Sequence, residues 1–334
     1  MVTGVSARRA TAATRSPLVR LRRHMGLVFE TRRPFGRPLD RICTPDVTIR
    51  EAGPAPEAPL QGSAVAVCRH LGADIYSLYR QPDGYTLRVH TLCDFLISAD
   101  ASSVECRPRP GTDDGMVDVL LVGTVTAVLW TLRGRPVLHG SAVIHDSRAL
   151  ALIGPSGSGK STIAALCCAA GAGLLSDDLV VLEVSGETVR CVGRATELRL
   201  RAGMQPVTRL WPVKPLERAT ADGRTAVCLV RDPSRDAEAV PLGAVALLCP
   251  SPDADALRLT RLSGPDAVFA MLGQSRVAGL ADSSFNAALL AAAAAVERQI
   301  PVVAVEVPWR PPFDVESGRR ILDALGTLPR RCSR

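Results

Sequence analysis

Gly154, Pro155, Ser156, Gly157, Ser158, Gly159, Lys160 and Ser161 satisfy the pattern G-x-x-x-x-G-K-[ST] between an apolar run, residues 149–153, and a helix-forming stretch. Such a loop can bind phosphate because glycines let the chain curl until successive N–H groups point inward at the oxygens, a path side chains would obstruct. A helix expected from Lys160 to about Ala170 adds the positive end of its dipole to those donors. Lys160 would then reach the β- and γ-phosphates of ATP, Ser161 would ligate Mg2+, and Thr162 would place a hydroxyl near the α-phosphate.

Two further residue groups could complete a phosphoryl-transfer site. Asp177 and Asp178 follow Lys160 by 17 and 18 residues, after the short apolar strand of Leu174 and Leu175. At the carboxyl edge of a sheet, one carboxylate can hold Mg2+ while its neighbour takes the proton of an attacking hydroxyl. A bare Asp-Asp pair is equally a helix cap or a solvated turn; the spacing and the strand end favour chemistry. His139 precedes Gly154 by 15 residues. A turn at residues 145–147 would fold its strand back beside the one entering the loop, which brings His139 within reach of the γ-phosphate, although a lone histidine is more often packed or exposed.

Those groups need a scaffold, and 334 residues with 47% hydrophobic and 22% charged content can build one large or two modest domains. Residues 1–60 are Arg- and Pro-rich and read as largely irregular: ten arginines, from Arg8 and Arg9 to Arg41, face only Glu30 and Asp40 before residue 42. Residues 61–132 read as a small α+β lobe of short alternating strands and one apolar helix. Residues 133–330 read as a catalytic domain, with strands expected at 137–144, 149–153, 180–184, 189–192, 197–201, 244–248, 257–262 and 302–307. Its later helices are expected at 265–272, 284–298 and 316–325.

Two apolar runs, 119–132 and 287–296, fall short of the roughly 20 residues of a membrane-spanning helix and read as core helices. No charged n-region followed by an apolar h-region opens the chain, so a cytoplasmic protein is expected. Ten cysteines, with no CxxC and no Cys/His cluster of metal-ligand spacing, read as free thiols. The formal charge of +7 fits acidic peptides or nucleic acid, but no aromatic residues interleave with the arginines, so nucleic acid is not an expected partner.

Taken together, His139 and Gly140, the loop from Gly154 to Ser161, and Gly173 through Asp178 resemble the catalytic domain of HPr kinase/phosphorylase in order and spacing. The wording around Leu138–Val143 and Leu175–Leu182 is still more similar to HPr-kinase-like proteins encoded beside ribosomally made peptides, lasso-peptide (RiPP) kinases among them, some of which phosphorylate a serine of the precursor. The resemblance implies an α/β P-loop NTPase fold of the HPr kinase/PEP carboxykinase type, with a small β-rich lobe before it. It implies that His139 and Asp178 assist proton transfer, that Asp177 is the Mg2+-side carboxylate, and that Glu197 serves the metal site through a partial match to Glu-x-Arg-Gly-x-Gly. The glycines of that segment are absent here, which argues against phosphorolysis of phosphoserine. Hexamers occur in the family, so a homo-oligomer is compatible with it.

The expectation is therefore an ATP- and Mg2+-dependent kinase acting on a serine or threonine hydroxyl of a peptide or protein, with Asp178, His139 and Lys160 catalytic and no membrane partner. A small-molecule kinase and a nucleotide-gated peptide-binding protein without transferase activity are the alternatives. An ABC-type ATPase is disfavoured, because neither an LSGGQ-like segment nor an apolar strand ending in Asp-Glu is present.

Overall fold

The computed structural model describes residues 19–193, 195, 197–228 and 239–329; Arg8, Arg9, Arg15 and Cys332 lie outside these. It is a mixed α/β structure built on three sheets.

The first sheet has nine strands: β1 (Arg20–His24), β2 (Leu27–Thr31), β3 (Arg37–Pro38), β4 (Val47–Glu51), β5 (Ser63–His70), β6 (Ala73–Gln81), β7 (Gly84–Val89), β8 (Cys93–Ser98) and β9 (Ser103–Pro108). Their order is β3-β1-β2-β4-β9-β8-β7-β6-β5. Residues 1–18 of the segment expected to be irregular lie outside the described residues; from residue 19 on that expectation is amended, because the sheet begins at Arg20 and runs across the boundary placed at residue 60. Composition misled because two of the arginines here are anchors. Arg33 is buried and pairs with Glu51, Asp114 and Asp118 at 3.2, 3.3 and 3.0 Å, while Arg22 donates to the carbonyls of Phe35 and Gly36. Met25 and Gly26 close the first hairpin, both at positive φ, as the right-handed strand twist favours in a two-residue turn.

One face of this sheet is covered by a continuous helical rod: α1 (Asp114–Leu120), a π-helical turn (Leu121–Val125) and α2 (Thr126–Leu132). The Thr126 hydroxyl donates to the Leu121 carbonyl, and Asp113 caps the start of the rod. At 19 residues and a mean hydropathy of 1.8, the rod is long and apolar enough to cross a membrane, so the shorter expectation is amended. Val117, Leu121, Val125, Val128 and Leu129 are nonetheless buried against the sheet, the place of a core helix.

The second sheet carries the glycine-rich loop. Its strands are β10 (Val137–Leu138), β11 (Gly140–His145), β12 (Arg148–Ile153), β13 (Gly173–Ser176), β14 (Val180–Ser185), β15 (Thr188–Val192), β19 (Ala239–Ser251), β20 (Arg258–Leu262) and β21 (Val302–Pro308). The order is β10-β14-β15-β19-β12-β11-β13, with β21 also paired to β19 and β20 to β21. The expected hairpin is present: β11 and β12 pair antiparallel from Gly140 with Ile153 to His145 with Arg148, across a turn in which Asp146 and Ser147 both have positive φ. Helices α3 (Lys160–Ala169) and α6 (Val315–Gly326) cover one face, and α4 (Pro265–Leu272) and α5 (Ser283–Gln299) the other. Ile163, Leu166, Ile321 and Leu325 fill the first layer; Met271, Leu289 and Val296 fill the second. The third sheet, which the sequence did not announce, has the order β16-β18-β17, from β16 (Glu197–Leu200), β17 (Leu216–Ala219) and β18 (Thr225–Cys228).

Candidate functional site

The strand β12 enters the loop at Gly154, and α3 leaves it at Lys160. Glycine is required at position 159 for two reasons: its φ is +79°, and any β-carbon would run into the indole of Trp309, which packs across the start of α3. The Ser158 amide donates to the Pro155 carbonyl, and the Ile163 amide to Gly159, so the loop curls directly into the helix. Inside it Lys160 is buried, and its ammonium donates to the carbonyls of Gly154 and Pro155, both at 2.8 Å. Burial pushes the Lys160 pKa down to about 8, although Asp178 and Asp177 oppose the shift. Arg201 donates to the Ser156 hydroxyl at 3.0 Å, which adds a guanidinium beside the loop.

Strand β13 lies antiparallel to β11, hence parallel to β12, so its carboxyl end opens at the same edge as the loop. There the two aspartates part company. Asp177 Oδ1 accepts from Ser161 Oγ at 2.8 Å and from Ser141 Oγ at 2.7 Å, and Oδ2 accepts from the Arg199 amide at 2.8 Å. A hydroxyl and a carboxylate held this way fit one side of a Mg2+ site, with phosphate oxygens and water supplying the rest. Among the described residues no group of three or more His, Cys, Asp and Glu could hold a metal ion by itself. Glu197 lines the same cavity as Asp177, and its carboxylate pairs with Arg218 at 3.2 Å.

Asp178 has a left-handed backbone, φ +68°, which an aspartate tolerates better than most residues. Its Oδ1 lies 3.3 Å from His139 Nδ1, and its Oδ2 lies 3.0 Å from Arg276 Nη2 and 3.4 Å from Arg199 Nη2. Burial alone would raise its pKa, but Arg276, His139 and Arg199 outweigh that and hold it well below the usual carboxylate range.

The residues expected to act together therefore do meet: Lys160, Ser161, Asp177, Asp178 and His139 share one sheet edge, and Thr162 is buried in the first turn of α3. Arg276 and Arg199, which were not among the expected site residues, are bound to Asp178. The segment at 274–276 runs against β10, with the His139 amide donating to the Gln274 carbonyl and the Arg276 amide to the Val137 carbonyl. No local pattern marks an arginine that lies 98 residues after its partner. Ser141 was also missed, although its place two residues past His139 on β11 was the available signal.

No family model matches the chain, and no curated protein does either. Among solved structures, the HPr(Ser) kinase/phosphatase from Coxiella burnetii is similar over 57% of this chain and 88% of its own, at 14% identity and a TM-score of 0.29. A likeness that loose carries no argument about function, which rests on the site alone.

Proposed function

We propose that the chain is a P-loop kinase that binds MgATP at Gly154–Thr162 and transfers the γ-phosphoryl group to a serine or threonine hydroxyl of a peptide or protein. One observation carries this reading: the curled loop, the Ser161–Asp177 pair and the His139–Asp178–Arg276 cluster converge on one edge of one sheet. Loop amides and Lys160 would grip the phosphates, the ammonium exchanging its carbonyl partners for phosphate oxygens. Ser161 and Asp177 would hold Mg2+, which would supply neutralisation of the charge developing on the phosphate groups.

In the transfer the acceptor oxygen forms a bond to the γ-phosphorus as the bond to the β,γ-bridging oxygen breaks, and ADP leaves. The acceptor's proton passes to Asp178, with His139 beside it to carry the proton onward. With its pKa so depressed, Asp178 is a weak base whose main work is to accept a hydrogen bond and aim the hydroxyl, which suffices where the transition state is loose and the proton leaves late. Arg276 and Arg199 keep that carboxylate ionised. A ribosomal natural-product precursor is the acceptor to which the sequence resemblance points.

The test is incubation with γ-labelled ATP and peptides encoded beside the gene, in parallel with Lys160→Ala. Mg2+-dependent label on a seryl or threonyl side chain, lost in the variant, is expected. Equal nucleotide affinity and turnover in Lys160→Ala would refute the reading.

A further inference from the structure

A cavity of about 630 Å³ opens beside Asp177, and it is walled by both lobes. That volume is in the range of sites that enclose a small ligand or a short chain segment. On one side stand Met25 and Phe35 from the first hairpin region and Val119 and Val122 from the helical rod; on the other stand Ala219 and Ala221, at the end of β17. The lobes nearly meet at its rim, where a β-carbon added to Gly115 would lie 3.3 Å from that of Ala221. Asp177, which accepts from Ser161, and Arg199, which lies 3.4 Å from Asp178, are part of its wall, so a molecule in the cavity borders the proposed transfer site.

The charges select among occupants. Four carboxylates line the cavity, Asp113, Asp118, Asp177 and Glu197, against two guanidiniums, Arg199 and Arg218. His24 adds no charge: burial lowers its pKa to about 4, and Nε2 lies 3.0 Å from the Val122 carbonyl, which can only accept. An acidic acceptor therefore meets no positive surplus, whatever the overall charge of the chain. The polar groups are also committed to one another. Asp118 is paired with Arg33, Glu197 with Arg218, Asp113 with the Met116 amide, and the Thr220 hydroxyl with Asp222. A sugar or polyol would find few partners for its hydroxyls, whereas apolar side chains find the half-buried Val119 and Val122, with the nearly closed-off Met25 and Phe35 also in the wall.

We infer that this two-lobed cavity is the acceptor site, and that it takes a short peptide segment whose hydroxyl residue is flanked by apolar side chains and carries no net negative charge. The inference rests on the kinase reading for the meaning of "acceptor", but the binding it asserts can be measured without nucleotide.

The experiment uses the full chain and two tritiated, capped pentapeptides, Ac-Lys-Leu-Ser-Leu-Ala-NH2 and Ac-Glu-Asp-Ser-Asp-Glu-NH2, in equilibrium dialysis without nucleotide. Ala219 and Ala221 are exposed, so Ala221→Trp and Ala219→Trp fill the mouth without burying new bulk in the fold. The apolar peptide should bind at least about tenfold more tightly than the acidic one, and Ala221→Trp should weaken it by about tenfold while MgADP affinity is unchanged. Equal binding of the two peptides, no binding of either, or wild-type binding by both tryptophan variants would overturn the inference. If MgADP fails to bind while the apolar peptide binds and is blocked, the nucleotide reading falls and the cavity assignment stands.

Discussion

Gly123 faces the carboxylate of Asp178: a β-carbon built on Gly123 would lie 3.4 Å from Asp178 Oδ2 and 3.2 Å from Arg276 Nη2. Gly123 is the midpoint of the π-helical turn, and the carbonyl of the residue just before it, Val122, holds His24. The rod that covers the first sheet thus reaches the edge of the second where the site lies, through a π-turn, a helical irregularity frequent at functional sites. Gly123→Val should displace Arg276 and Asp178 and reduce phosphoryl transfer by more than about tenfold. MgADP affinity should stay within about twofold of wild type, since the loop is untouched; parallel calorimetry and transfer assays read the two effects.

Asp177 makes a separate prediction about the metal. It accepts three hydrogen bonds, two from serine hydroxyls and one from a backbone amide. Asp177→Ala leaves those donors without their acceptor, at a cost of about 1.5–3 kcal/mol per hydrogen bond to a charged group. More specifically, it should abolish the gain in ADP affinity that Mg2+ confers, while affinity in EDTA changes little. Titrations with and without Mg2+ separate the two, and an intact Mg2+ gain would remove Asp177 from the metal site.

The Lys160 ammonium supplies a pH dependence with a definite sign. Burial places its pKa near 8 in the folded protein, below the ordinary 10.5, so between those values the unfolded chain holds more protons. Stability of the free protein should therefore rise with pH across that window relative to Lys160→Met, in which the slope disappears. Phosphate binding restores the charge, so above pH 8 ADP binding should be accompanied by net proton uptake. Calorimetry in two buffers of different ionisation enthalpy measures that uptake, and none would mean that Lys160 does not meet the phosphates.

Asp178 and Arg276 set the acid limb. With its folded pKa held well below the ordinary carboxylate value, Asp178 contributes stability that is fully present above about pH 4 and is lost as pH falls through the folded value. Arg276→Met removes the strongest of the opposing charges, so the loss should begin at higher pH. The acid-unfolding midpoint should shift upward, and the acid limb of transfer activity should move with it. A midpoint identical to wild type would mean that Arg199 and His139 hold the carboxylate without help.

What the sequence made legible follows from distance along the chain. The loop, the hairpin that returns His139, and the strand that ends just before Asp177 lie within about forty residues, where spacing and alternation fix geometry. Arg276 was not legible because an arginine carries no periodic signature and its place depends on a segment pairing with β10. The strands between Arg20 and Glu51 were hidden for the opposite reason. Their composition resembles disorder, and only the burial of Leu27, Phe29, Val47 and Ile49 under the distant helix at 114–132 makes them strands. The cavity between the lobes could not be foreseen either, since both its walls depend on those unseen strands and on the third sheet.

Trp309 and Gly159 offer a way to separate shape from conformation at the start of α3. Gly159→Ala introduces two costs: a non-glycine residue at φ +79°, about 1–2 kcal/mol, and a steric clash with the indole, which stacks edge-on to Phe313 with ring centroids 5.0 Å apart. Trp309→Ala removes the clash and leaves the backbone cost. If the contact is as tight as the geometry requires, Gly159→Ala should be markedly less destabilising in the Trp309→Ala background than in the wild type, a coupling of about 0.5–3 kcal/mol for residues in direct contact. Chemical denaturation of the four proteins of the cycle gives that number directly. Strict additivity would show that the loop moves away from the indole at no cost, and with it that the curl around Lys160 is soft and not preorganised for phosphate.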